Sequence, residues 1–201
     1  MRRARVYRLS EISPTQLDEL AEVLHDCVHG GASVSFLLPF PMEEARAFWR
    51  DVADDVACGD RALIVAEVDG RIRGTAQLVL AQPPNQPHRA DLTKMLVHRQ
   101  ARRLGVGAAL LRAGEDAARE AGKTLLVLDT ARPEAERLYT RGGWVPCGQV
   151  PGFALLPGGG LCDTRYFYPR NRSCHCCQTA RIECWRGFPG NSRDCGAVPN
   201  R

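Results

Sequence analysis

The sequence predicts a mixed α/β domain, a sheet of about six to seven strands flanked by about four helices. Three observations carry that expectation. Asp69-Gly70 separates two apolar runs, 62–68 and 72–80, as the two-residue turn of an antiparallel hairpin. The apolar strand Leu92 to Val97 leads into a loop with Gly105 and Gly107. After it Val106, Leu110, Leu111, Gly114, Ala117, Ala118 and Ala121 recur at helical spacing. A second buried strand, Leu125 to Leu128, ends in Asp129-Thr130 just before another helical segment.

The remaining elements follow in order. Arg5 to Leu9 reads as the first strand. Ser13-Pro14-Thr15-Gln16 forms a capping box, with Ser13 as N-cap and proline at the first helical position. Leu17, Leu20, Ala21, Leu24 and Val28 give that helix one apolar face, and Gly30-Gly31 ends it. In the apolar connection Ser33 to Phe40, the side chains of Phe36, Leu37, Leu38 and Phe40 either plug the core or wall a substrate pocket. Met42 to Val56 forms a second helix through Ala45, Phe48, Trp49, Val52 and Val56. Pro83-Pro84-Asn85-Gln86-Pro87-His88 is a rigid polar loop before the central strand. Pro133 to Tyr139 is a short helix stopped by Gly142-Gly143, and Trp144 to Val150 and Leu161 to Phe167 supply the last strands.

Composition narrows the function. With 44% apolar residues in 201, the chain can bury a real core. No apolar run is long enough to span a membrane, and Arg5, Arg8 and Glu11 interrupt any signal-peptide core after Met1-Arg2-Arg3, so a cytoplasmic protein without a membrane partner is expected. The net charge of +4 lies in the last 32 residues, which hold six arginines against Glu183 and Asp194, while residues 1–169 balance at 21 basic and 21 acidic. A neutral body argues against a nucleic-acid partner.

The glycine loop carries the chemistry. A helix start leaves backbone N–H groups without intrahelical partners and adds a partial positive charge, so anions bind there. Gly105 and Gly107 keep Cβ atoms out of a ligand's way, and Arg102 and Arg103 add donors suited to phosphate. A P-loop is excluded because Ala108 and Ala109 follow Gly107 where Lys and Ser/Thr belong. A Rossmann turn is disfavoured by Leu110 at the third glycine position and by the preceding hairpin.

Arg102-Arg103-Leu104-Gly105-Val106-Gly107 resembles the R/Q-x-x-G-x-G/A signature of the GNAT superfamily of acetyl-CoA-dependent N-acetyltransferases. The segments CVHGGASVSF, PPNQPHRADLTKMLVH, LLVLDT, AERLY and PGFALLPGG, spread over residues 27 to 168, are similar to the tabtoxin-resistance type within it. The resemblance implies a GNAT acyl-CoA N-acyltransferase fold, with a splayed sheet, and acetyl-CoA as co-substrate. It places the backbone of Met95, Leu96 and Val97 along the pantetheine arm, and the loop Arg102, Arg103, Leu104, Gly105, Val106, Gly107 and Ala108 around the pyrophosphate. Tyr139 matches the tyrosine that protonates the departing sulfur. Asp91 and Asp129 match acids proposed to take the amine's proton. Asp129 is the first choice, since position 91 often carries the longer Glu in the family. Both carboxylates could instead cap strand ends or hold the substrate ammonium, and Tyr139 could be plain core. Asn85 and Gln86 are candidates for contact with a small polar substrate.

The expected function is transfer of acetyl from acetyl-CoA to a primary amine of a small molecule, with an amino-acid-like toxin or antibiotic as one option. A non-catalytic acyl-CoA sensor and a protein acetyltransferase are the alternatives. His25, His29, His88 and His98 lack metal spacing, so no metal is expected. Cys147 and Cys162 have no evident base partner and are read as structural. The domain is expected to span 1–169. Residues 170–201 are expected to form a basic, disordered tail with five of the nine cysteines, whose spacing fits no standard zinc site. A homodimer could form through the apolar stretch around Phe36 or the terminal strands.

Overall fold

The computed structural model describes residues 4–170; the tail expectation lies outside them. Seven strands form one sheet in the order β1-β2-β3-β4-β5-β7-β6, with β1 Arg5–Leu9, β2 Arg61–Val68, β3 Arg71–Val79, β4 Arg89–Val97, β5 Leu125–Thr130, β6 Trp144–Leu155 and β7 Leu161–Pro169. The helices are α1 Pro14–His29, α2 Met42–Cys58, α3 Val106–Glu120 and α4 Pro133–Gly142, with one 3₁₀ turn at Arg99–Ala101. The mixed sheet and four helices are those read from the sequence.

Two apolar layers sandwich the sheet. Alternation in β2 splits its side chains between them: Ala62, Ile64 and Ala66 pack under α3 with Val106, Leu110 and Leu111, while Leu63 and Val65 meet α1 and α2 through Leu20, Leu24 and Trp49. A fully buried side chain of this kind contributes roughly 1.5–3 kcal/mol.

Local signals act as expected at two places. Gln16 N donates to Ser13 Oγ at 3.3 Å and Ser13 N donates to Gln16 Oε1 at 3.0 Å, closing the capping box of α1. Asp69 and Gly70 take φ of 53° and 76°, as a hairpin turn with two left-handed central residues requires.

β4 and β6 run furthest beyond the bounds read from the sequence. β4 begins at Arg89, so Asp91 lies inside it rather than at its entry. β6 continues to Leu155 because a register shift between Val150 and Ala154 absorbs Pro151-Gly152, after which Ala154 pairs with Cys162 and Leu155 with Leu161. Gly152 N–H donates to Asp163 Oδ1 at 2.9 Å, holding that irregular stretch.

The feature that positions the site lies mid-sheet. All neighbours are antiparallel except β4 and β5, and these two pair only at Arg89–Leu125, Ala90–Leu126 and Asp91–Val127. Beyond Asp91 they part. On its other side β4 shifts register against β3 between Thr75 and Gln77, and Lys94 takes φ of 47° at the irregularity. The splayed sheet is thus visible in the ladder itself.

Candidate active site

Where β4 and β5 part, a cleft of about 620 Å³ opens. Met95, Leu96 and Val97 of β4 line it on one side, with Arg102 at the glycine-loop end. Asp129 and Thr130 at the end of β5 line the other, followed by Arg132, the N-cap of α4, and by Glu134 and Tyr139 of that helix. The apolar connection contributes Phe36 and Leu37, and the β6–β7 hairpin contributes Phe153, Leu155 and Thr164. The pocket-wall reading of Phe36 and Leu37 therefore holds, whereas Phe40 is 2% exposed and belongs to the core.

The first turn of α3 adjoins this arrangement through Arg102, whose Nε donates to Val97 O at 3.1 Å. The two glycines have different jobs. Gly105 is the N-cap of α3 with φ of 79°, a left-handed conformation, and a Cβ there would meet nothing within 4 Å. Gly107 has no such conformation; its Cβ would come within 3.0 Å of Leu138 Cδ2 on α4. Gly107 thus permits close packing of two helices, a role that its reading as room for a ligand did not include. Arg102 lines the cleft, and Arg103 to Ala108 are not among its lining residues.

Asp129 is exposed toward the cleft and accepts a hydrogen bond from Thr164 Oγ1 at 2.7 Å. Tyr139 is 5% exposed, its ring packed near those of Trp144 and Phe167. Burial, and secondarily the negative charge of Asp129, hold its phenol well above the ordinary tyrosine value. Tyr139 is therefore a protonated donor at neutral pH. It is a core residue and a cleft residue at once, so the two readings of it are compatible.

Asp91 is placed differently. Its Oδ2 accepts from Arg89 Nη2 at 3.1 Å and Gln82 Nε2 at 3.3 Å, and it does not line the cleft. Asn85 and Gln86 are also outside the cleft lining. Their loop lies at the opposite, N-terminal end of β4, where Thr124 N and Leu125 N donate to His88 O. Turn chemistry made that loop look functional; the parallel pairing of β4 with β5 sends the open end the other way.

Sequence reasoning missed Lys94, Thr164, Phe153 and Leu155. Lys94 donates to Ser35 Oγ at 3.1 Å, and burial, then the nearby Arg61 cation, depress its ammonium pKa against the pull of Asp129. Its signal was available: it is one of only two lysines, placed in the central strand. Phe153 and Leu155 were hidden by the Pro-Gly interruption of β6. Cys27, also in the lining, is buried and its thiol is pushed up by burial, which makes it a poor nucleophile. Among the described residues no group of three His, Cys, Asp or Glu is arranged to hold a metal, and no helix is long and apolar enough to cross a membrane.

A mixed sheet parts between two parallel strands, a glycine-capped helix start lies beside the gap, and a carboxylate and a tyrosine line it, an arrangement that suits an enzyme. The chain belongs to the acetyltransferase (GNAT) family, whose model matches residues 29–144, and it is an N-acetyltransferase. An uncharacterized N-acetyltransferase in the hisH-hisA intergenic region of Azospirillum brasilense is 32% identical over 126 residues, 62% of this chain and 73% of that protein. Two solved structures share the fold at a TM-score of 0.69. An N-acetyltransferase from Staphylococcus aureus Mu50 is 16% identical over 83% of this chain and 97% of that one. The yncA protein of Salmonella typhimurium, solved with its cofactor acetyl-CoA, is 17% identical over 84% and 94%.

Proposed function

We propose that the protein transfers acetyl from acetyl-CoA to the primary amine of a small molecule by direct attack. The observation that carries this reading is the convergence of Asp129, Tyr139 and the unpaired edge of β4 on one cleft.

The residues present fit acetyl-CoA. From Leu92 onward the β4 edge that faces β5 has no strand partner, so Met95, Leu96 and Val97 offer backbone groups to an extended amide-bearing arm. The first-turn N–H groups of α3, with Arg102 and Arg103, suit a pyrophosphate. The thioester supplies an activated acetyl group. An alkylammonium with a pKa of about 10 must lose a proton before its nitrogen can attack, and Asp129 accepts it directly or through water. Tyr139 is the general acid toward the departing sulfur: it hydrogen-bonds the developing thiolate as the C–S bond breaks. Because a thiol pKa of about 8.5 lies below that of a phenol, any proton it lends is regained from solvent or from the amine's released proton. With Cys27 protonated, no cysteine relay is needed.

The resemblance to tabtoxin-resistance proteins makes an amino-acid-like toxin or antibiotic one substrate option, and the relatives' names support acetyl transfer to nitrogen. The test is thermal unfolding of the full chain with and without acetyl-CoA, then thiol release across a panel of small amines. A ligand at 100 times its Kd stabilises the folded state by about 2.7 kcal/mol, so a clear rise in Tm is expected, with amine-dependent thiol release. Absence of any shift would overturn the donor site, and a shift without turnover on any amine would overturn the catalytic reading.

A further inference from the structure

We propose that the acceptor carries a carboxylate beside its amine and that Lys94 holds it, a reading that rests on the acetyl-transfer function above. The charges along the cleft lead to this. Arg132 and Glu134 pair with each other at 3.6 Å. Arg102 has no ion-pair partner among the described residues, but it stands at the glycine-loop end, where the proposed donor's pyrophosphate takes its charge. Two charges remain for the acceptor. Asp129 accepts only from Thr164, and the Lys94 ammonium donates only to Ser35 Oγ. Among the described residues neither has an ion-pair partner, yet both face the same space.

A lysine ammonium has three donors, so two are left for a ligand. Lys94 Nζ lies 5.8 Å from the ring centroid of Phe36 and 5.7 Å from that of Phe48, and aromatic walls lower the local polarity in which a contact with an anion would form. Among the described residues Lys94 is also one of four non-glycine residues with positive φ, and it occupies the irregularity of β4 directly beside the proposed donor-binding edge. A cation and an anion without protein partners in one cleft complement a zwitterion. Its ammonium goes to Asp129, the base, and its carboxylate to Lys94, while Phe36 and Phe153 bound an apolar remainder. The acceptor class is therefore an amino acid or a close analogue. A carboxylate beside Lys94 would also restore its depressed pKa, since an opposite charge favours the ammonium form.

The test compares amino acids with their decarboxylated counterparts, for example phenylalanine with phenethylamine, leucine with isoamylamine and lysine with cadaverine. Thiol release is read at saturating acetyl-CoA on the full chain, and Tm shifts with the same compounds read binding without turnover. Wild type is expected to favour the carboxylate member by about tenfold or more in kcat/KM. Lys94→Met should bring that ratio close to one, chiefly through KM, and Lys94→Arg should retain most of it. The acetyl-CoA-induced Tm rise reports that each variant is folded.

If Lys94 merely pins the Ser35 segment, Lys94→Met lowers both members of each pair alike, and the proposal is overturned. It is equally overturned if wild type shows no preference while turning over plain amines, an outcome that leaves acetyl transfer standing. Amino acids that bind in a Lys94-dependent way without being acetylated would sustain this proposal and overturn the transfer reading. A panel that neither binds nor reacts would overturn both.

Discussion

Thr164 Oγ1 on β7 donates a 2.7 Å hydrogen bond to Asp129 Oδ2 on β5, fixing the orientation of a carboxylate that is otherwise open to the cleft. Thr164 itself is 3% exposed, so the hydroxyl that steadies the proposed base is held rigidly by its surroundings.

Asp129→Asn is expected to lower kcat by about 10²–10⁴, the range for losing a general base. Thr164→Val, which keeps the shape and removes the donor, should cost about tenfold, in line with roughly 1.5 kcal/mol for a hydrogen bond to a charged group. Asp91→Asn should leave kcat within a fewfold of wild type and act through stability, because Asp91 is tied to Arg89 and Gln82 outside the cleft. Steady-state thiol release on the three variants ranks them. A collapse with Asp91→Asn alone would transfer the base to that residue.

Tyr139→Phe should reduce kcat by about 10² or more while changing Tm little. Its hydroxyl makes no hydrogen bond to a described residue, and the ring contacts with Trp144 and Phe167 are kept. Tyr139→Ala would add a cavity cost of about 3–5 kcal/mol. Unchanged turnover in Tyr139→Phe would leave the tyrosine a packing residue only.

The two loop glycines should respond differently to substitution. Gly105→Ala forces a Cβ into a left-handed conformation, at about 1–2 kcal/mol, without steric conflict. Gly107→Val overpacks against Leu138, at about 1–3 kcal/mol, and disturbs α4 next to Tyr139. Adding Leu138→Ala should recover part of the Gly107→Val loss and none of the Gly105→Ala loss, as a double-mutant cycle in urea unfolding would show.

Stability should fall on acidification below about pH 6.5. His98 is 6% exposed; its Nδ1 accepts from Gln100 N, and its Nε2 lies 3.4 Å from Asp26 Oδ1. Burial depresses its pKa, with Arg73 and Arg99 adding to the shift and Asp26 and Glu22 opposing it. The unfolded chain then binds the proton more readily, so stability is complete above about 6.5 and is lost between that value and the lower folded pKa. His25, also depressed by burial and by His29, acts in the same direction. Tm measured from pH 8 to 5 should decline, and His98→Asn should flatten the decline.

Much of the fold was legible because its signals are local. The box at Ser13, the turn at Asp69-Gly70 and the glycine-led start of α3 each depend on a few adjacent residues. The cleft lining was legible where a motif tied residues to one element, as for Tyr139 and the β4 edge, and was not where position depends on pairing across the sheet. The end of β4 that opens is set by three rungs with β5, and the turn chemistry that made Asn85 and Gln86 candidates for substrate contact says nothing about which end that is. Thr164 reaches Asp129 from 35 residues away, a relationship that no periodicity carries.

The parting of β4 from β5 divides the labour along the chain. The wall formed by β4, with its glycine loop beside it, is complete before residue 121; the facing wall, with Asp129, Thr164 and the hairpin tip carrying Phe153 and Leu155, is built wholly after it. Leu155 is 47% and Phe153 49% exposed, so neither is committed to the core. On the proposed function, the tip of one hairpin can therefore be recut to fit a different apolar remainder of the acceptor, while Lys94 and the sheet beneath it keep their place.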